Sequence, residues 1–250
     1  MARITSQVRG GIRNDVTMRF LFVGDSMTIG RPGDWTWRYR MWRHLESVLP
    51  GAYEIVGPRD GLYAPEDPEG GAETGGGPHA YADPAFPAAA RRHLAGWGEG
   101  WLHMAPVIGE TVAATRADVL LVSLGLIDLG FYTDSGRTEE NVRAFLAAAR
   151  AARPTVRAVL LPVIPNIRAG HDAAFAAECA RFNELLAKAV ADLDTAASPL
   201  LLAAVPESYD LRDDTYDGTH PGPSGEHKLA AAFAGAMHQA WGLGGPYRER

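Results

Sequence analysis

Five short apolar runs are spaced along the chain with longer helix-patterned segments between them: RFLFVG (19–24), YEIVG (53–57), DVLLVSLG (118–125), VRAVLLPV (156–163) and LLLAAV (200–205). Runs this short that stay largely apolar, instead of alternating with polar residues, are what strands buried on both faces require. Helical patterns fall near 35–49, 105–116, 138–152, 172–192 and 224–241. Strand and helix in alternation leave few topologies, because parallel neighbours need long, right-handed crossovers. The expectation is an α/β chain built as a three-layer α/β/α sandwich around a five-stranded parallel sheet.

With 250 residues, 46% of them hydrophobic, the chain can bury one large core. The reading is a single domain over 19–241, with an N-terminal extension at 1–18 and a tail at 242–250. The stretch 58–100 is dense in Gly and Pro and too long for an ordinary connection. Because it leaves the carboxyl end of the second strand, where open α/β sheets bind ligands, it reads as a substrate-covering loop. A net charge of −6 without a long basic run argues against a nucleic-acid partner. The chain has no run of 18 apolar residues, and its first twenty carry no export-signal pattern, so a cytoplasmic protein with no membrane partner is expected. The single cysteine, Cys179, sits in a helical pattern and reads as packing. Eight histidines contain no HExxH pair, and GGAETGGGP matches neither phosphate-binding nor dinucleotide-binding spacing, so neither a metal nor a cofactor is expected.

Two motifs carry chemistry. The first strand ends in a Gly-Asp-Ser corner, VGDSMTIG, which sets the Ser26 hydroxyl at the carboxyl edge of the sheet. A nucleophile would be useful there, although Asp25 or Ser26 could equally cap the next turn. Near the other end, YDGTHPGPSG places Asp217 three residues before His220 in a loop rich in Gly and Pro. A serine hydroxyl needs an adjacent base, and the base needs an acceptor on its other ring nitrogen. Asp217 and His220 supply both, on the same edge of the same sheet.

VGDSMTIG and DGTHPGPSG resemble the first and last sequence blocks of the GDSL or SGNH hydrolase superfamily, whose sheet is flavodoxin-like. YRMWRHLESV, YEIVGPRDG and HLAGWGEGW are similar to its carbohydrate acetyl esterase branch. The resemblance implies an acyl hydrolase with Ser26 as nucleophile, His220 as general base and Asp217 as its partner. It also implies three donors to the oxyanion: the Ser26 N–H, a glycine N–H taken as Gly96 with Gly98 as fallback, and an asparagine of a GxND block. The last block is altered. In SLGLIDLG, Gly125 and Asp128 match, but Ile127 stands at the asparagine position and cannot donate. Ser123, Asn166 or a loop residue would have to substitute, unless the site turns over slowly or only binds.

Asp25, Trp97, Ile127 and Asp128 are the expected substrate-side residues, with local backbone bonding as the alternative for Asp128. Trp35, Tyr39, Trp42 and Leu49 approximate one helical face and read as core, whereas Trp97 and Trp101 read as free to touch a ligand. Arg38, Arg40 and Arg43 read as a solvated helix face. The functional expectation is a serine esterase acting through an acyl-enzyme on an O-acyl ester of a small or glycosylated metabolite. An O-acyltransferase using the same residues and a noncatalytic binding protein are the alternatives.

Overall fold

The computed structural model describes residues 17–64 and 80–249. Among these, six parallel strands form one sheet: β1 (Met18–Gly24), β2 (Tyr53–Val56), β3 (Leu94–Ala95), β4 (Val119–Ser123), β5 (Arg157–Leu161) and β6 (Leu200–Leu202). Their order is β2-β1-β4-β5-β6, with β3 continuing the β2 side of β1 by pairing with Val23 and Gly24. The five expected strands are present with slightly shifted ends. The sixth, β3, spans two residues and is too short to leave a period in the sequence.

The helices are α1 (Ser26–Ile29), α2 (Thr36–Val48), α3 (Trp101–Met104), α4 (Ile108–Thr115), α5 (Ser135–Ala152), α6 (Ile167–His171), α7 (Ala173–Leu193), α8 (Leu211–Asp214) and α9 (Pro223–Trp241). The five expected helices are α2, α4, α5, α7 and α9. Their starts have identifiable causes: Asp134 accepts from Arg137 N at 2.8 Å and Asp172 from Phe175 N at 3.0 Å, while α9 opens on Pro223. Every residue of β4 is buried, as a central parallel strand covered on both faces demands. On one face α2 packs against α9, with Trp37 stacked on Phe233 (4.7 Å between centroids) and edge-on to Phe22 (5.3 Å). On the other, α4, α5 and α7 lie in a row.

Two of the three arginines of α2 correct the expectation of a solvated face, whereas Arg43 is exposed as expected. Arg38 is fully buried; it donates to the carbonyls of Thr28 (2.7 Å), Ile29 (3.0 Å) and Arg91 (2.7 Å) and to Tyr81 Oη (2.9 Å). It therefore ties the end of α1, just beyond Ser26, to the segment around residues 81–91. Arg40 is buried against Glu226 of α9, whose other oxygen accepts the N–H of Thr36 at 2.7 Å. Trp35, Trp42 and Leu49 pack against the core as expected, with Tyr39 buried among them.

Of the expected loop, residues 65–79 lie outside the described residues. Its flanks are anchored. Arg59 and His93 exchange backbone hydrogen bonds, and Tyr63 N–H donates to Gly30 O at 2.9 Å. Leu62, Tyr81 and Phe86 are buried in the core.

Candidate active site

The corner after β1 is shaped by close approach. A Cβ on Gly24 would lie 1.9 Å from Thr28 Oγ1, so only glycine lets α1 fold back onto the strand end. Asp25 caps this turn through Oδ1, which accepts the Met27 N–H at 3.0 Å, and its carbonyl accepts from Thr28 and Ile29. The N–H of Ser26 is not among those Asp25 takes up. Asp25 is fully buried, its Oδ2 has no hydrogen-bond partner among the described residues, and its carboxyl is pushed up to about 7. Burial is the main cause, with the Met27 N–H opposing it and the neighbouring charge of Asp128 adding to it.

The second half of the site comes from the loop before α9. Its ends are pinned by the Thr215–Pro221 bridge, by Tyr216 N–H donating to His220 O (3.1 Å) and by Gly222 N–H donating to Asp214 O (2.7 Å). Asp217 divides its two oxygens. Oδ1 accepts the backbone N–H groups of Thr219 (3.0 Å) and His220 (2.8 Å), and Oδ2 lies 2.7 Å from His220 Nδ1. Burial raises the Asp217 carboxyl, but the backbone N–H and ring of His220 outweigh it, so the group stays ionised below the usual carboxylate range. His220 Nε2 lies 2.9 Å from Ser26 Oγ, across 194 positions of sequence. With Nδ1–H donated to Asp217, Nε2 is the basic nitrogen facing the hydroxyl.

His220 is also clamped between rings. Trp97 stacks on one face at 4.9 Å and 18°, with Tyr63 stacked beyond it at 4.3 Å. Tyr216 covers the other face at 5.6 Å and 11°, and the Arg31 guanidinium lies 3.6 Å from the Tyr216 centroid. Of these partners, only Trp97 stood out in the sequence. Tyr216 adjoins Asp217 and carried a signal in its position; Tyr63 gave none.

A cavity of about 460 Å³ opens beside Ser26 and His220. Trp97, Gly98, Ile127 and Asn166 border it, so these expected residues do meet at the site. Others do not. Gly96 donates its N–H to Gly24 O at 3.2 Å and is thereby committed to the sheet, whereas Gly98, in a left-handed turn at φ +74°, reaches the cavity. Asp128 is buried outside the cavity; its oxygens accept the N–H groups of Trp101 (2.8 Å) and Leu102 (3.0 Å) and thereby hold the start of α3. Its bonds are to backbone, but to a distant segment instead of the local one expected. Asp25 likewise faces the turn and not the cavity. Trp101 is fully buried against Phe145, not free for a ligand.

Among the substitutes for the missing asparagine, Ser123 is buried at the end of β4 and does not border the cavity. Asn166 does. Its Oδ1 accepts the Ala169 N–H (3.0 Å), which orients the amide, and its Nδ2 donates to Ile164 O (3.3 Å). Among the described residues no group of three or more His, Cys, Asp or Glu side chains converges as metal ligands would. Nor is any helix among them long and apolar enough to cross a membrane.

Solved structures with this fold include three esterases. An acetyl esterase mutant crystallised with an acetate ion is 21% identical, with a TM-score of 0.70 over 89% of this chain and 97% of that one. A carbohydrate esterase family 3 protein from Talaromyces cellulolyticus is 22% identical, with a TM-score of 0.69 and the same coverage of 89% and 97%. A family 3 carbohydrate esterase from Clostridium thermocellum is 17% identical, with a TM-score of 0.65 over 89% and 96%. At these identities the likeness is one of fold. No curated protein sequence matches the chain. The family model for GDSL-like lipases and acylhydrolases matches residues 22–228, a span that runs from within β1 into α9 and includes Ser26, Asp217 and His220. On that match the chain belongs to the GDSL-like lipase/acylhydrolase family of hydrolases.

Proposed function

We propose that the protein is a serine esterase that cleaves an O-acyl ester of a small or glycosylated metabolite through an acyl-enzyme. The observation that carries this reading is the unbroken run of contacts from Asp217 Oδ2 to His220 Nδ1 and from His220 Nε2 to Ser26 Oγ, at 2.7 and 2.9 Å. Ser26 Oγ adds to the ester carbonyl carbon while its proton passes to Nε2, giving a tetrahedral oxyanion. The bond to the alcohol oxygen then breaks, that oxygen takes the proton from Nε2, and the acyl group stays on Ser26. Water repeats the sequence: its oxygen adds to the acyl carbon, its proton passes to His220 and returns to Ser26 Oγ, and the carboxylic acid leaves. Asp217 holds the ring and offsets the positive charge that appears on it. The oxyanion is assigned to the backbone N–H groups of Ser26 and Gly98; the Asn166 amide borders the cavity but is engaged by Ile164 O and the Cys179 thiol.

Ile127 favours a second reading, a binding protein that has lost turnover. Losing one oxyanion donor typically lowers turnover about 10²- to 10³-fold, which slows an esterase without abolishing it. Aryl acetate hydrolysis by the wild type and Ser26→Ala separates the two readings. The esterase reading expects turnover that vanishes with Ser26, and no turnover by the folded wild type leaves the binding reading standing. Ile127→Asn should accelerate hydrolysis about 10-fold or more where the missing donor limits the rate; unchanged or slower hydrolysis rejects that limitation.

A further inference from the structure

Ser26 stands between two flanks of different chemistry. On the β3 side is Trp97, stacked on the His220 ring. On the β4 side the wall is Leu126 and Ile127, continued by Gly130, Phe131 and Phe175. We propose, building on the esterase reading above, that this apolar flank is an acyl pocket, and that it selects an acyl chain of about six carbons or an aromatic acyl group over acetyl.

Three observations support the assignment. First, size: an acetyl methyl takes roughly the space of one water, about 30 Å³, and the cavity of about 460 Å³ that the acyl and alcohol groups share has room for several such groups on its apolar flank. Acetyl would leave most of the apolar wall facing water, whereas a longer chain covers it. Second, proton delivery: His220 must hand its proton to the departing oxygen, so the alcohol leaves on the His220 and Trp97 flank and the acyl group lies opposite. Third, Arg168, the cation that borders this end of the cavity among the described residues, is already engaged. Arg168 lies over the Phe175 ring at 4.0 Å, donates to Gly130 O at 2.8 Å and sits 3.6 Å from Asp172. It forms a rim over the ring instead of an open hook for an anion. The isoleucine that removes a donor from the site thus also supplies the wall that a larger acyl group needs.

The test is a series of p-nitrophenyl esters, from acetate through butyrate and hexanoate, together with benzoate, so that the leaving group is constant. Each buried methylene should raise kcat/KM about fourfold, which puts hexanoate about 250-fold above acetate where all four extra methylenes are buried and at least about tenfold above it where only two are. Gly130→Val narrows the pocket: a Cβ there would sit 3.5 Å from Arg168 Nη1 and 3.9 Å from Phe175 Cζ, in ordinary contact. The hexanoate-to-acetate ratio should fall about tenfold in that variant. A steady decline from acetate to hexanoate, or a ratio untouched by Gly130→Val, overturns the pocket while leaving the esterase reading intact. Calorimetric binding of hexanoate and acetate ions to Ser26→Ala reads the pocket without chemistry. Tighter hexanoate binding supports it even where no ester is turned over, a result that would reject the esterase reading alone. Equal binding of the two ions overturns the pocket.

Discussion

Replacing Trp97 by leucine removes the ring that lies against His220 while keeping an apolar side chain in its place. In the proposed cycle His220 becomes cationic in both tetrahedral transition states, and a cation beside an aromatic face is stabilised by the ring quadrupole. Tyr216 also stacks on His220, but farther away at 5.6 Å against 4.9 Å and with its ring already engaged by the Arg31 guanidinium at 3.6 Å, so Trp97 holds the larger share. The magnitude lies between the exposed and desolvated limits, because Trp97 is 37% exposed and the His220 side chain 17%. About 1 kcal/mol is then the expected loss, which corresponds to roughly a fivefold fall in kcat. Steady-state kinetics on one aryl ester should show kcat and kcat/KM falling together in Trp97→Leu at nearly constant KM. Trp97→Phe, which keeps a ring face, should recover at least half of the loss on a logarithmic scale. A several-fold rise in KM with kcat unchanged would refute the reasoning, because it would make Trp97 a uniform contact to substrate. Equal kinetics for Phe and Leu would refute it as well, since ring electrons would then contribute nothing.

Asp217→Asn should lower kcat about 10³- to 10⁴-fold with little change in KM, since the ring would lose the carboxylate that fixes its tautomer and offsets its charge; stopped assays at high enzyme concentration would read this. The buried carboxyls should make stability depend on pH in an unusual direction. Burial raises Asp25 and Glu226 to about 7 in the folded chain, so between about pH 4 and 7 the folded state holds protons that the unfolded state has released. His93 and His227, lowered by burial, act in the opposite sense over the same window, so the Asp25 contribution is read as a difference: the Tm of the wild type relative to Asp25→Asn should fall as pH rises from about 5 to 7, and a difference that stays flat or grows would contradict the assignment.

The sheet was legible because β1, β4 and β5 lie within the fold's interior and must stay apolar along their length, which writes a short uninterrupted run into the chain. β3 was not, because two residues have no period. The Ser26 corner and the Asp217–His220 pair were legible as local patterns, Gly-Asp-Ser after a strand and an Asp three residues before a His in a loop. What links them is a long-range contact that only the folded chain displays. Arg38 misled for a related reason: arginine recurring at 38, 40 and 43 in one helical segment read as a solvated face, yet the carbonyls of Thr28, Ile29 and Arg91 satisfy its guanidinium inside. Gly96 misled because the sequence does not record that its N–H closes the end of β3. Asp128 looked like part of the chemistry because it follows a strand at the active edge, but the start of α3 arrives from 26 residues earlier to claim it.

Covalent capture of Ser26 tests the mechanism most directly. A fluorophosphonate applied to the folded protein, followed by peptide mass mapping, should place one adduct on Ser26 Oγ, with labelling lost in Ser26→Ala and strongly slowed in His220→Ala. A correctly folded wild type that stays unlabelled, or an adduct on any other side chain, would contradict the assignment of Ser26 as nucleophile.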